Sequence, residues 1–296
     1  GNTVRNVTAC PLSGICRDET FDVTPHAQAC MQFLLGHPDT QNFGRKFKVA
    51  FSGCSEHACG LVSIHDIGLI AKTRTIDGVE ERGFETYVGG GLGTVPHQAK
   101  LFDKFLPESE LLPIAQAIAR VFARLGEKRN RARARIKFLI AQLGIEEFKR
   151  LVLEERSQLP TDPRWTAHLT GAVNHTETPV HTDGQRSVVR TTPSFEAWCR
   201  TNVYRQRQPG YVVTTIALPL GDLTSVQLRG LANIARRYVG NTVRTTVEQN
   251  IVLRWVRETD LTSLHRDLQV VGLSQSGAAT ITCLLYTSPS PRDRGC

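Results

Sequence analysis

The chain has a single methionine, Met31, and does not begin with one. That absence reads as a fragment or a processed chain. No run approaches the roughly 18 apolar residues that a membrane-spanning helix needs, so no membrane association is expected. The start, Gly1-Asn2-Thr3-Val4-Arg5, has neither the charged n-region nor the apolar h-region of a secretion signal. A reducing, cytoplasmic compartment is then the default, and disulfides are not expected. Aromatic residues make up only 7% of the chain, and none is interleaved among the cations Lys128, Arg129, Arg131, Arg133, Arg135 and Lys137. Stacking platforms for single-stranded nucleic acid need such aromatics, so that stretch reads as a solvated helix face, and nucleic acid is a disfavoured partner. Nor is there a dinucleotide fingerprint: Gly89, Gly90 and Gly91 follow a strand pattern, but no helical pattern opens directly after them.

What the chain does have is 40% hydrophobic and 22% charged residues over a length of 296, the profile of one large globular domain or two ordinary ones. Its net charge of +8 favours anionic partners: small oxyanions, carboxylate-rich cofactors, acidic proteins or nucleic acid. Its eight cysteines are Cys10, Cys16, Cys30, Cys54, Cys59, Cys199, Cys283 and Cys296. In a reducing compartment these are metal ligands or buried thiols rather than bridges.

Residues 44–60 concentrate the unusual features. Arg45, Lys46 and Lys48 precede a short apolar run, which ends in a loop holding Cys54, His57 and Cys59. Read as a strand, Lys46 and Lys48 share a face, because side chains alternate with period two. Two ammonium groups on one face repel, which makes sense with an anion between them. The competing reading is a basic edge strand that blocks edge-to-edge pairing. Residue types alone leave both open.

Around that stretch, residues 1–25 read as loop and residues 25–35 as a helix ended by Gly36. Residues 61–71 read as a strand, Asp77-Gly78 as a hairpin turn, and residues 84–88 as a further strand. The glycines that follow could offer an anion-binding nest of amides. Helices are expected over 111–125, 128–141 and 145–154. A proline- and threonine-rich crossover spans 158–190, and Trp198 beyond it reads as core. A second pattern then runs strand 211–219, helix 223–238, strands 243–246 and 251–256, and helix 261–271. This β-α-β-β-α order is that of a ferredoxin-like α+β sandwich. Residues 283–296 match nothing before them and read as a non-native tail, which would leave Cys283 and Cys296 without meaning.

Arg45-Lys46-Phe47-Lys48, taken with Arg5-Asn6-Val7, resembles the sirohaem-dependent nitrite and sulfite reductases. Val88-Gly89-Gly90-Gly91-Leu92, Leu143-Gly144-Ile145-Glu146-Glu147-Phe148-Lys149 and Val243-Arg244-Thr245-Thr246-Val247-Glu248-Gln249-Asn250 are similar to the family as well, in the right order over residues 1–282. The resemblance implies an α+β fold: a nitrite/sulfite reductase α/β unit over 1–157, then a ferredoxin-like half-domain over 191–282. It implies an oxidoreductase that reduces nitrite to ammonia or sulfite to sulfide, with sirohaem and a [4Fe-4S] cluster as cofactors and ferredoxin or a similar protein as electron donor. Arg5, Lys46 and Lys48 match members of the family's oxyanion cage, while Arg45, Gln249 and Asn250 match sirohaem contacts. The family's cluster cysteines belong to a later half that this chain lacks, so the chain alone is expected to be inactive. Cys10 and Cys16 share the family's C-x5-C spacing, but Cys54 and Cys59 are spaced C-x4-C where the family has C-x3-C. Three readings of these four stay open: a degenerate echo of the cluster site, ligands of a cluster or another metal, and ordinary packing cysteines. A non-catalytic basic module that binds anions or nucleic acid is the rival function.

Overall fold

The computed structural model describes residues 2–56, 59–172, 177–182, 192–240 and 242–278. The chain forms two compact units, one from Gly1–Gly14 and Asp18–Thr176, the other from Ile15–Arg17 and Glu177–Cys296.

The first unit is built on a sheet of β1 (Val4–Ala9), β2 (Phe47–Ser52), β3 (Ile67–Ile76), β4 (Val79–Val88) and β5 (Lys100–Pro107), in that spatial order. The first two pairings are parallel and the last two antiparallel. Helix α1 (Thr24–Leu34) connects β1 to β2, as a parallel pair requires. Helices α2 (Leu111–Leu125), α3 (Ile136–Leu143), α4 (Ile145–Gln158) and α5 (Arg164–Ala172) follow β5.

Period-two alternation in β2 sends Phe47, Val49 and Phe51 into the main core, where they join Ile118 and Phe122 of α2. The Phe43, Phe47 and Phe122 rings lie 4.9–5.9 Å apart. On the opposite face Ala50 joins Val62, Ile70 and Tyr87 in a smaller cluster. The β3–β4 turn places Asp77 at φ 52° and Gly78 at φ 79°. Both are left-handed, which matches the twist of a two-residue hairpin.

Several elements differ from the sequence reading. Residues 4–9 are a strand rather than loop, so Arg5 is held on a sheet. Residues 62–64 form a short 3₁₀ turn and the strand starts only at Ile67. A Cβ on Gly68 would lie 2.3 Å from the Val62 carbonyl oxygen, and that close approach of turn to strand needs glycine. Strand β5 was not anticipated. The basic stretch is helical only from Ile136. Before it, the Glu127 carboxylate accepts the Arg129 and Asn130 amides, and the Asn130 side chain accepts the Ala132 amide. Such side-chain bonds compete with helix formation.

The second unit contains α6 (Pro193–Asn202), β6 (Val203–Arg205), β7 (Tyr211–Ile216), α7 (Ser225–Tyr238), β8 (Val243–Thr245), β9 (Ile251–Arg257) and α8 (Leu261–Val270). Its sheet order is β6-β7-β9-β8, and every pairing is antiparallel. The run from β7 to α8 is the expected ferredoxin-like order; β6, which the sequence reading missed, covers the β7 edge. Thr224 and Gln227 form a reciprocal capping box that starts α7. Trp198 is fully buried in this unit's own core, with Ile216, Leu253 and Leu264. Among the described residues no helix is long and apolar enough to cross a membrane.

Candidate functional site

Because Phe47 faces the core, Lys46 and Lys48 point to the other side of the sheet. Strand β1 pairs with β2 from Val4↔Phe47 onward, with a register irregularity between Val4 and Asn6. Arg5 sits at that irregularity and is exposed. A fourth cation arrives from a distant part of the chain: Arg135, immediately before α3, whose side chain is only 10% exposed.

The Lys48 strand and Arg135 meet at one carboxylate. Asp66, just before β3, is completely buried. Its Oδ2 accepts the Lys48 backbone N–H at 2.9 Å, and its Oδ1 accepts Arg135 Nη2 at 2.8 Å. The same Nη2 donates to the Gly90 carbonyl at 3.2 Å. Burial holds the Lys46 ammonium below its ordinary pKa, and Arg5, Arg135 and Arg45 push the same way while Asp66 opposes them. Lys48 is lowered by burial first and by Arg135 next, with Lys46 and Arg5 adding to the effect and Asp66 opposing it. Desolvation pushes the Asp66 carboxyl up, against the pull of Arg135 and the Lys48 amide. His65 is lowered by burial, and by Lys48 and Arg135, against a bond from its Nδ1 to the Leu61 carbonyl.

Four mutually repelling cations, with Asp66 as the carboxylate that opposes them at Lys46 and Lys48, form a site with positive charge in excess. The buried Nε of Arg135 has no hydrogen-bond partner among the described residues, an orphaned donor that costs free energy where it stands.

The glycine run does not form the expected anion nest. Gly89, Gly90 and Gly91 donate their amides to the carbonyls of Asp66, His65 and His97 at 2.9–3.0 Å. Their role is close packing. A Cβ on Gly91 would lie 2.5 Å from Arg135 Nη1, and one on Gly90 would lie 2.5 Å from the Ser63 carbonyl. Lys137, buried, then caps the loop by donating to the carbonyls of Gly91, Leu92 and Val95.

Arg45 adds to the field on Lys46 but directs its Nη1 to the Arg131 carbonyl at 2.7 Å. Gln249 and Asn250 belong to the second unit, in the turn between β8 and β9. Gln249 adopts φ 62°, and the buried Asn250 accepts the Leu218 amide through Oδ1 at 2.9 Å. Cys10 follows β1 and Cys54 follows β2, both buried; Cys16 is buried and Cys59 half-buried. Among the described residues, no group of three or more His, Cys, Asp or Glu is placed to hold a metal ion. His57 lies outside the described residues.

Asp66 and Arg135 are the members that sequence reasoning missed. Asp66 was one polar position in a weakly alternating stretch. Arg135 was one cation in a basic run. The available signal was an acidic residue in an otherwise apolar strand entry and an arginine at the mouth of an apolar helix.

Residues 1–160 match the nitrite and sulphite reductase 4Fe-4S domain, and residues 204–271 match the nitrite/sulfite reductase ferredoxin-like half domain. The ferredoxin–nitrite reductase of Synechococcus elongatus is 28% identical over 95% of this chain and 51% of its own length. A sulfite reductase [ferredoxin] of Mycolicibacterium paratuberculosis is 31% identical over 52% of this chain and 27% of its own length. The solved structure of the Mycobacterium tuberculosis NirA protein superposes with a TM-score of 0.72 at 26% identity, over 94% of this chain and 45% of that one. The chain thus spans about half, or less, of the length of these relatives.

Proposed function

Because this chain belongs to the nitrite and sulfite reductase family, we propose that its cation cluster is the oxyanion site of a reductase converting nitrite to ammonia or sulfite to sulfide. The observation that carries this reading is the crowding of Lys46 and Lys48 by Arg5 and Arg135, with Arg135 and the Lys48 backbone tied to the buried Asp66 carboxylate.

Lys46 and Lys48 hold the anion by charge-assisted hydrogen bonds, which are stronger than neutral ones. Positive charge fixed in place also stabilises the charge that develops on oxygen as N–O or S–O bonds break. A lysine whose pKa is lowered releases its proton more readily near neutral pH, and so can act as a general acid toward the leaving oxygen. Arg135, tied to Asp66 and to the Gly90 carbonyl, is held in place beside them.

The family implies sirohaem as the redox centre. The surplus of positive charge at this cluster fits an anionic, carboxylate-bearing macrocycle, with Arg45 as a further contact in the same unit; Gln249 and Asn250, in the other unit, are sirohaem candidates from the family resemblance alone. When bound, sirohaem would supply electrons to the substrate; binding, orientation and proton delivery fall to the side chains named above. The described cysteines form no ligand set for a [4Fe-4S] cluster, and no step is assigned to one. A ferredoxin-like donor is proposed from the relatives' names, and the +8 charge suits an acidic protein.

Expression in a sirohaem-producing host tests the reading. The purified chain should carry sirohaem absorbance, and sulfite should perturb it in the wild type but not in Lys46→Met/Lys48→Met. Absent sirohaem together with strongly salt-dependent DNA binding would replace the proposal with the basic binding module.

A further inference from the structure

A fully buried carboxylate is a costly feature unless it is well paired. Asp66 is well paired, but not by the lysines. Its two oxygens are occupied by a backbone amide of β2 and by a guanidinium that enters from the segment before α3. The pairing therefore joins three separate pieces of chain: the strand that carries Lys48, the entry to β3, and the Arg135 segment. The glycine loop completes the clasp. Gly90 accepts from Arg135, and Gly91 leaves room for its guanidinium.

We infer that Asp66 and Arg135 are the positioning residues of the cation site: their pairing pins the β2 backbone at Lys48 and so sets where its ammonium stands, and Asp66 does so without touching the anion. The inference rests on the oxyanion reading for its purpose but not for its test. The charged and titratable groups facing Lys48 are Arg5 on β1, Lys46 beside it, His65 and Asp66 before β3, and Arg135 before α3. Among these described residues, Asp66 is the carboxylate that favours the ammonium form, and Arg135 opposes it most. Removing each charge must therefore move Lys48 in opposite directions.

The test is the pH profile of amine acylation at Lys48, followed by peptide mass spectrometry on the 296-residue chain. Only the neutral amine reacts. In Asp66→Asn the midpoint should fall by about one pH unit, so Lys48 reacts about tenfold faster near pH 8, since adjacent charges shift a pKa by about 1–3 units. In Arg135→Gln the midpoint should rise, so Lys48 reacts several-fold more slowly, and Arg135→Lys should restore the wild-type profile. A merely structural role predicts something else: loosening the fold would speed acylation in both variants. Faster or unchanged reaction in Arg135→Gln overturns the inference, and that arm decides the matter even if Asp66→Asn fails to fold. Adding sulfite separates the two proposals. If sulfite does not protect Lys48 in the wild type, the oxyanion reading fails, while the opposite-signed shifts still decide the positioning role.

Discussion

Lys46 and Lys48 carry the consequences of being crowded by other cations. Both ammonium groups have pKa values below the ordinary lysine value of 10.5. Their charge is lost as pH rises through the lowered values, earlier than for an exposed lysine. Nitrite stays an anion as they titrate, so its affinity should fall as pH rises, and at lower pH than exposed lysines would dictate. Lys48→Arg, which keeps its charge, should push that fall to higher pH. Lys48→Met should weaken nitrite binding by about 10- to 100-fold, since a hydrogen bond to a charged group is worth about 1.5–3 kcal/mol and about 1.4 kcal/mol is tenfold. Titration calorimetry across pH checks both outcomes. At this scale the sequence marks only part of the proposed cluster. Lys46 and Lys48 announce themselves by spacing, and Arg5 by the company of its motif. Asp66 and Arg135 are 69 positions apart and meet only through folding, so no local pattern marks them as partners.

The glycine loop is the element that decides whether the site assembles. Gly90→Ala would drive a methyl group against backbone, the Ser63 and His65 main chain, whereas Gly91→Ala would drive it against the Arg135 side chain. Overpacking of this kind costs about 1–3 kcal/mol. The two variants should differ in character. Gly90→Ala should lose more thermal stability, because backbone cannot yield. Gly91→Ala should lose less stability but more anion affinity, because the group displaced is the guanidinium. Melting curves paired with nitrite titrations distinguish them. Elements with strong apolar periodicity were readable in advance: α2 spans residues 111–125 as expected, and the β7-to-α8 order came through intact. Elements fixed by tertiary contacts were not. Strand β1 is short and half-exposed, so it has no clean alternation to betray it. The segment before α3 has helix-forming cations, but Glu127 and Asn130 divert its amides into local turns.

At the scale of the whole molecule, the two largest cores among the described residues share no members, one around Phe47 and Phe122, the other around Trp198. Chains of this kind depart from two-state unfolding. Phe47→Ala and Trp198→Ala should each cost about 3–5 kcal/mol. Hydrogen exchange should show the first loss in the amides of β2 and β3 and the second in those of β7 and β9. Uniform loss of protection across both units in either variant would contradict separate cores. The positive surface has the same division of labour. Arg129, Arg131 and Arg133 lie exposed on the loop before α3, while Arg135 and Lys137 are drawn inside. A run that looks uniform in sequence supplies solvated charge at one end and site structure at the other.

The most direct measurement is therefore the calorimetric titration of sulfite into three proteins at low ionic strength: the wild-type chain, Lys46→Met/Lys48→Met, and Arg129→Gln/Arg133→Gln. One saturable, salt-sensitive site is expected in the wild type and in the loop variant, and none in the lysine variant. Equal binding by the lysine variant, or binding abolished by the loop substitutions alone, would show that the anion is held elsewhere.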